Sequence, residues 1–160
     1  MIFGMTPFTF FHVLISLIGI LSGLVVLYGL INADRMSAIT LVFLTTTVAT
    51  SATGFLFPFH GVTPGIIVGG LSLLVLALVI VARYAYRLAG PWRWVYAGGA
   101  VIALWFNVFV LVAQSFQKVP ALHALAPTAT ESPFKIAQAL VLLLFVGAGV
   151  LAVRRFRPAV

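Results

Sequence analysis

The chain has 160 residues, of which 63% are hydrophobic and 7% are charged, and its mean hydropathy is +1.24. Soluble domains carry roughly 25% charged residues, so this composition excludes a soluble globular protein and indicates an integral membrane protein. The formal net charge is +7, but the basic residues lie at the ends of apolar runs, which favours contact with anionic lipid over a nucleic-acid site.

Five apolar segments are long enough to cross a bilayer core of about 30 Å, which takes about 20 helical residues. Segments with such short links must be helices, because backbone polar groups in hydrocarbon need partners within the segment and barrel strands are about half as long. We therefore predict an all-α, polytopic transmembrane helical bundle that forms a single domain over residues 1–160. The predicted spans are residues 8–31, 36–57, 64–84, 91–116 and 133–153.

The first span carries a polar and small-residue face. His12, Ser16, Gly19 and Gly23 recur at helical spacing, so they share one side of the helix. Because the two glycines form a GxxxG pattern, a neighbouring helix can approach closely, and we expect His12 to point into the bundle. His12 is then either part of a functional site or a hydrogen-bonding residue that joins two helices.

The second and fourth spans carry further polar groups. The second contains "TTTVATSAT", whose hydroxyl groups can bond to their own backbone or line a packing seam. In the fourth span Asn107 and Gln114 lie seven residues apart, hence on one face. Gln138, near the start of the fifth span, could meet Gln114. If both converge with His12, a polar pocket opens at that end of the bundle.

Orientation follows from the basic residues in alternate loops. With the N-terminus outside, only Lys118 and Lys135 fall on the outer side, and every other basic residue falls on the cytoplasmic side. This positive-inside bias predicts an outside N-terminus and a cytoplasmic C-terminus. The cytoplasmic arginines would be Arg35, Arg83, Arg87, Arg93, Arg154, Arg155 and Arg157.

In this orientation all three histidines, His12, His60 and His123, lie towards the outer side, as does the acid Glu131. Imidazole nitrogens bind haem iron, copper or zinc and can donate hydrogen bonds to a quinone. One hypothesis is therefore a site for haem b, a transition metal or a quinone. The cofactor candidates are His12, His60, His123, Gln114 and Gln138, the metal candidates are His12, His60, His123 and Glu131, and Met5 is a further haem ligand candidate.

Nothing in the sequence indicates an enzyme. The chain has no cysteine, which excludes thiol nucleophiles, thiolate metal sites and disulfides. It also has no phosphate-binding glycine loop, no serine with a positioned base and no pair of carboxylates. No acid lies deep in a span, whereas proton-coupled transport usually needs one.

Three stretches, "TSATGFLFPF", "ARYAYRLAGPWRWVY" and "WFNVFVLVAQSFQKVPALHALAPTATESPFKIAQ", resemble a group of small uncharacterised bacterial integral membrane proteins. The resemblance covers the second to fifth spans. It implies a multi-pass protein of the bacterial inner membrane and implies no activity.

Three functions remain open at this point. The first is a non-enzymatic accessory or scaffolding subunit that packs with itself or with a larger inner-membrane complex, in contact with the lipid bilayer. The second is a redox or ligand-binding protein with its site on the outer face. The third is an oligomeric channel or carrier that uses the threonine-rich second span and the Asn107 stripe. None of the three involves nucleic acid.

Overall fold

The computed structural model describes residues 4–58 and 64–157. Within these ranges it contains six α-helices and no strand, and every helix except α5 is long and apolar enough to cross a membrane. The prediction of an all-helical chain with five apolar spans is confirmed, whereas the short helix α5 was not predicted. The helices are α1 (Pro7–Ile31), α2 (Ser37–Gly54), α3 (Pro64–Ile80), α4 (Trp92–Lys118), α5 (Pro120–Leu125) and α6 (Ser132–Arg155).

The five long helices alternate in direction, so the bundle has two ends. At one end, His12 near the start of α1 contacts Thr53 near the end of α2, and we call it the His12 end. At the other end, Arg83 contacts Ser37 at the start of α2 and Tyr96 near the start of α4, and we call it the Arg83 end. The orientation of these ends in a membrane remains a prediction.

Helix boundaries follow from local chemistry. The side chain of Thr6 accepts a hydrogen bond from the backbone N–H of Thr9 at 3.1 Å and so caps the start of α1. Proline stands in the first turn of α1, α5 and α6, where the lost N–H would have no helical partner anyway. Helix α3 ends in a single π-helical turn, Val81–Ala85, and the next residues reverse the chain.

The apolar core lies in the half of the bundle at the Arg83 end. Its members come from all five long helices and interlock around the first half of α4. Buried alanines such as Ala97, Ala100 and Ala103 let neighbouring helices come close to α4. The largest fully buried members are Tyr96, Phe43, Phe156, Leu30, Leu76 and Leu104.

The GxxxG pattern of α1 packs as predicted. A Cβ atom added to Gly19 would lie 3.2 Å from the hydroxyl oxygens of both Thr46 and Thr47 on α2. A Cβ at Gly23 would lie 2.5 Å from Leu104 on α4 and 2.8 Å from the ring of Phe43. Because these neighbours occupy the space of a side chain, the two glycines bring α1, α2 and α4 together at the middle of the bundle.

Helix α6 packs mainly along α4. The rings of Phe116 and Phe134 meet edge to face at its beginning, and Phe156 is buried against Tyr96 just after its last turn. Between these points most of α6 is exposed, and Ala152 is its only buried residue. We expect lipid or another protein to cover this apolar surface.

Candidate functional site

A cavity of about 700 Å³ lies between α1, α2, α3 and α4 in the half of the bundle at the His12 end. Its lining extends from Met5, His12 and Lys118 at the end of the bundle to Ile20 and Asn107 near the middle. We call the region around His12, Gln114 and Lys118 the mouth and the region around Ile20, Ser51, Ser72 and Asn107 the floor.

His12 stands at the mouth and is also bonded to a neighbouring helix. Its Nδ1 atom lies 2.8 Å from the hydroxyl oxygen of Thr53 on α2, and its ring meets the ring of Phe57 edge to face with centroids 5.0 Å apart. A partner on Nδ1 fixes the ring orientation. The two alternatives from the sequence therefore coexist, because His12 joins two helices and lines the cavity.

Gln114 and Lys118 complete the mouth from α4. They are four residues apart, so they lie one helical turn from each other on the same face, and both line the cavity. Both side chains are exposed. Neither forms a hydrogen bond or an ion pair with any residue that the structure describes. Their polar atoms are therefore available to a ligand.

The polar groups of the floor, in contrast, bond to one another. The side-chain amide of Asn107 donates to the hydroxyl of Thr47 at 3.2 Å, and Ser51 donates to Ser72 at 3.1 Å. These bonds join α2 to α4 and α2 to α3. Buried polar groups without partners are unfavourable in an apolar surrounding. These groups of the floor are paired within the protein and do not need a ligand as a partner.

The run "TTTVATSAT" thus has a specific role, since Thr47, Ser51 and Thr53 bond to α4, α3 and α1 in turn. Thr46 and Thr53 also bond to their own helix, Thr46 to the carbonyl of Val42 and Thr53 to the carbonyl of Ala49. The Oγ1 atom of Thr50 is buried beside the cavity and has no hydrogen-bond partner among the described residues. Helix α2 is therefore joined by side-chain hydrogen bonds to three neighbouring helices.

The structure brings His12, Gln114 and Met5 to one cavity and places Gln138, His123 and Glu131 outside its lining. The side-chain amide of Gln138 donates to the backbone carbonyl of Phe109 at 3.0 Å, between α6 and α4, and so does not meet Gln114. His123 is exposed on α5. His60 lies outside the described residues.

Glu131 is occupied within its own loop. One carboxylate oxygen accepts hydrogen bonds from the backbone N–H and the hydroxyl of Thr128, and the other accepts from the backbone N–H of Thr130. The hydrogen bond from the Thr128 side chain lowers the pKa of Glu131 below its ordinary value. The carboxylate of Glu131 is therefore held by hydrogen bonds within its own loop.

Within residues 4–58 and 64–157, no group of three or more His, Cys, Asp or Glu side chains could hold a metal ion. Of the predicted metal candidates His12, His60, His123 and Glu131, the three that lie in the described residues do not form such a group, and His60 lies outside them. The chemistry available at the mouth is hydrogen bonding and positive charge.

Arg83 is a buried polar residue whose role is not predicted from the sequence, where it counts only as a cytoplasmic basic residue at the end of the third span. Its side chain is 9% exposed and donates to the hydroxyl of Tyr96 at 2.9 Å, to the carbonyl of Arg35 at 3.1 Å and to the hydroxyl of Ser37 at 3.1 Å. We call this group the Arg83 clasp. Single π-helical turns are frequent at functional positions, and no local sequence pattern predicts the one that ends α3.

Comparisons of the chain with protein-family models, with curated proteins and with solved structures find no match. The functional argument therefore depends on the geometry of this chain alone.

Proposed function

We propose that this chain is a multi-pass protein of the bacterial inner membrane that binds a lipophilic small molecule in the cavity between α1 and α4. The supporting observation is the cavity itself, about 700 Å³ in volume and enclosed by α1, α2, α3 and α4. Pockets that hold small molecules have volumes of about 300–1,000 Å³, mostly apolar walls and a few polar groups. The bacterial location is supported by the resemblance, and the outward direction of the His12 end by the positive-inside bias.

The packing below the floor favours a binding site over a channel. Next to the floor, the side chains of Phe43 and Leu104 fill the space beside Gly23 so completely that no Cβ fits there. Beyond them the core continues to the Arg83 clasp. A ligand that enters at the His12 end therefore meets closed protein halfway along the bundle.

The direct test is to fill the cavity. Ser16 lines it, and its hydroxyl bonds only to the carbonyl of Val13 on its own helix. Ser16→Leu therefore occupies cavity space without breaking a bond between helices. The probe is dodecanol carrying a photoreactive diazirine, added to the protein in phosphatidylcholine nanodiscs, and the labelled peptides are identified by mass spectrometry.

We expect saturable labelling of peptides from the cavity lining and a loss of at least tenfold in Ser16→Leu. The matched control is Ser22→Leu, because Ser22 also bonds only to α1 carbonyls and does not line the cavity. Equal labelling of the two variants, or labelling spread evenly over the lipid-facing surface, would overturn the proposal.

A second candidate function is association as an accessory or scaffolding subunit. It is supported by the surface of α6, where Leu143 and Leu144 are 68% and 72% exposed and a Cβ at Gly147 would meet nothing within 4 Å. Since the chain has no cysteine, Gly147→Cys gives a single thiol. Oxidation in membranes should form a disulfide dimer if α6 is an interface between copies. Gly70→Cys is the control, because Gly70 on α3 is equally open.

A further inference from the structure

We infer that the ligand of this cavity is a single-chain amphiphile with an anionic head, a carboxylate or a phosphate, which lies at the mouth beside Lys118, Gln114 and His12. This inference rests on the proposed function, since it needs a ligand in the cavity, and it adds the chemical class and the direction of that ligand. The tail lies along the apolar walls and ends at the floor.

The charge of the mouth is the first argument. Lys118 lines the cavity beside an imidazole, and no acidic residue of the described chain lines it. The whole sequence has only two acidic residues. The carboxylate of Asp34 accepts a hydrogen bond from the N–H of Met36 at the Arg83 end, and Glu131 is held by Thr128 and Thr130. Neither neutralises Lys118, so its charge is available to an anion.

The distribution of satisfied and unsatisfied polar groups is the second argument. At the floor, Asn107, Ser51 and Ser72 already have protein partners. At the mouth, the side chains of Gln114 and Lys118 have none among the described residues. Apart from the single hydroxyl of Thr50 in the cavity wall, a ligand gains its new polar contacts at the mouth, and the only charged side chain of the lining is there as well, which sets the direction in which an amphiphile binds.

The walls between mouth and floor are the third argument. They are formed mainly by apolar side chains, among them Val13, Leu17, Val68 and Val110. From Lys118 to Asn107 the helical rise gives a depth of about 16 Å. Burying apolar surface there contributes roughly 25 cal/mol per Å², so the tail provides most of the affinity and the head provides the selectivity.

The experiment compares four probes with the same twelve-carbon tail: dodecanoate, dodecyl phosphate, dodecanol and dodecylamine. Each competes with the diazirine-bearing dodecanol for labelling of the cavity in phosphatidylcholine nanodiscs. We expect both anions to compete at concentrations at least tenfold below dodecanol, and dodecylamine to compete least. A difference between dodecanoate and dodecyl phosphate identifies which anionic head is preferred.

The decisive variant is Lys118→Gln, which should reduce the advantage of the anions over dodecanol to less than threefold and leave dodecanol unchanged. The control is Lys135→Gln, because Lys135 is exposed at the start of α6 and does not line the cavity. Since Lys118 is exposed, the anion advantage should also shrink as salt is raised from 0.01 to about 0.15 M, as the Debye length falls from about 30 to about 8 Å.

The possible failures are distinguishable. If all four probes compete equally, or if Lys118→Gln leaves the anion advantage intact, the anionic head is disproved while the proposed binding function stands. If dodecylamine competes best, the inference is likewise overturned. If no probe competes and Ser16→Leu has no effect on labelling, both the inference and the proposed function fail.

Discussion

The two halves of this bundle are built in opposite ways from the same five helices. At the Arg83 end, buried side chains from every long helix pack together and a buried guanidinium joins three chain segments. At the His12 end, α1, α2, α3 and α4 surround a cavity of about 700 Å³. The closely packed half begins at Gly23, where side chains of α2 and α4 leave no room for a Cβ atom on α1.

The comparison shows that the half at the Arg83 end is closely packed and that the half at the His12 end has space for a ligand. Close apolar packing makes one half resistant to local opening, whereas few buried apolar contacts make the other half easier to deform. A protein that holds its ligand at one end of a membrane bundle needs both properties. Substitutions in the two halves should therefore have different consequences, as the following predictions describe in order of decreasing effect.

The largest loss of stability should come from Arg83→Lys. The lysine keeps the buried charge but cannot reach the three acceptors that the planar guanidinium bridges. Each hydrogen bond from a charged group contributes about 1.5–3 kcal/mol, so we expect the free energy of unfolding to fall by about 3 kcal/mol. Thermal unfolding in mild detergent, followed by circular dichroism, measures it. In the control, Arg87→Lys, the exposed side chain should change stability by less than about 0.5 kcal/mol.

A smaller loss is expected for Gly23→Ala. The added Cβ would lie 2.5 Å from Leu104 Cδ1, and overpacking of this kind costs about 1–3 kcal/mol. The comparison is Gly54→Ala in the other half, where the nearest atom, Cε1 of His12, would be at 3.9 Å. The same unfolding measurement should show almost no change for Gly54→Ala. Equal losses in the two variants would contradict the division into a closed and an open half.

His12→Phe should affect stability less than either of these changes. The variant loses the Nδ1 bond to Thr53, a loss of about 1 kcal/mol, while the Thr53 hydroxyl keeps its bond to the carbonyl of Ala49. Ligand affinity should fall more than stability, since His12 lines the mouth. Probe competition in nanodiscs and unfolding of the same sample separate the two effects. A large loss of stability with unchanged binding would make His12 a purely structural residue.

The smallest effect concerns the exposed loop of Glu131. Because the folded pKa is lowered, mainly by the hydrogen bond from Thr128, the loop's stabilisation is fully present above the pKa of the unfolded chain. It is lost as pH falls through the lower folded pKa. Hydrogen exchange of the Thr128 and Thr130 amides, corrected for the intrinsic rate, should show protection at neutral pH that falls on acidification. In Glu131→Gln this pH dependence should disappear, and cavity binding should be unchanged.

Much of the fold could be predicted from the sequence because hydrophobic length and composition determine membrane spans directly. The inward face of α1 was also predictable, since His12, Gly19 and Gly23 follow helical spacing. The cavity was anticipated only in part. His12 and Gln114 share it, but Gln138 bonds to Phe109 instead, because the rotation of α6 about its axis depends on packing that no single-helix pattern encodes.

The contacts of Arg83, in contrast, could not be predicted from the sequence. Counting basic residues near helix ends treats every arginine alike, although this one lies in the π-helical turn that ends α3 and is buried in the bundle. Its acceptors include a backbone carbonyl and two hydroxyls from other segments, which become neighbours only when the chain is folded. The sequence predicts that Lys118 lies in a loop. Its lack of a counter-ion among the described residues follows only from the structure, which shows where both acidic residues lie.

The fixed depth of the floor gives the proposed site a way to measure chain length. Asn107 and Thr47 hold two helices at one separation, so a tail can extend only as far as that pair. Each added methylene should raise affinity by about 0.8 kcal/mol while it still finds wall to cover. Once the tail reaches the paired amide and hydroxyl, further methylenes must bend back or stay in the lipid. The floor would then act as a molecular ruler, favouring one range of tail lengths among otherwise identical amphiphiles.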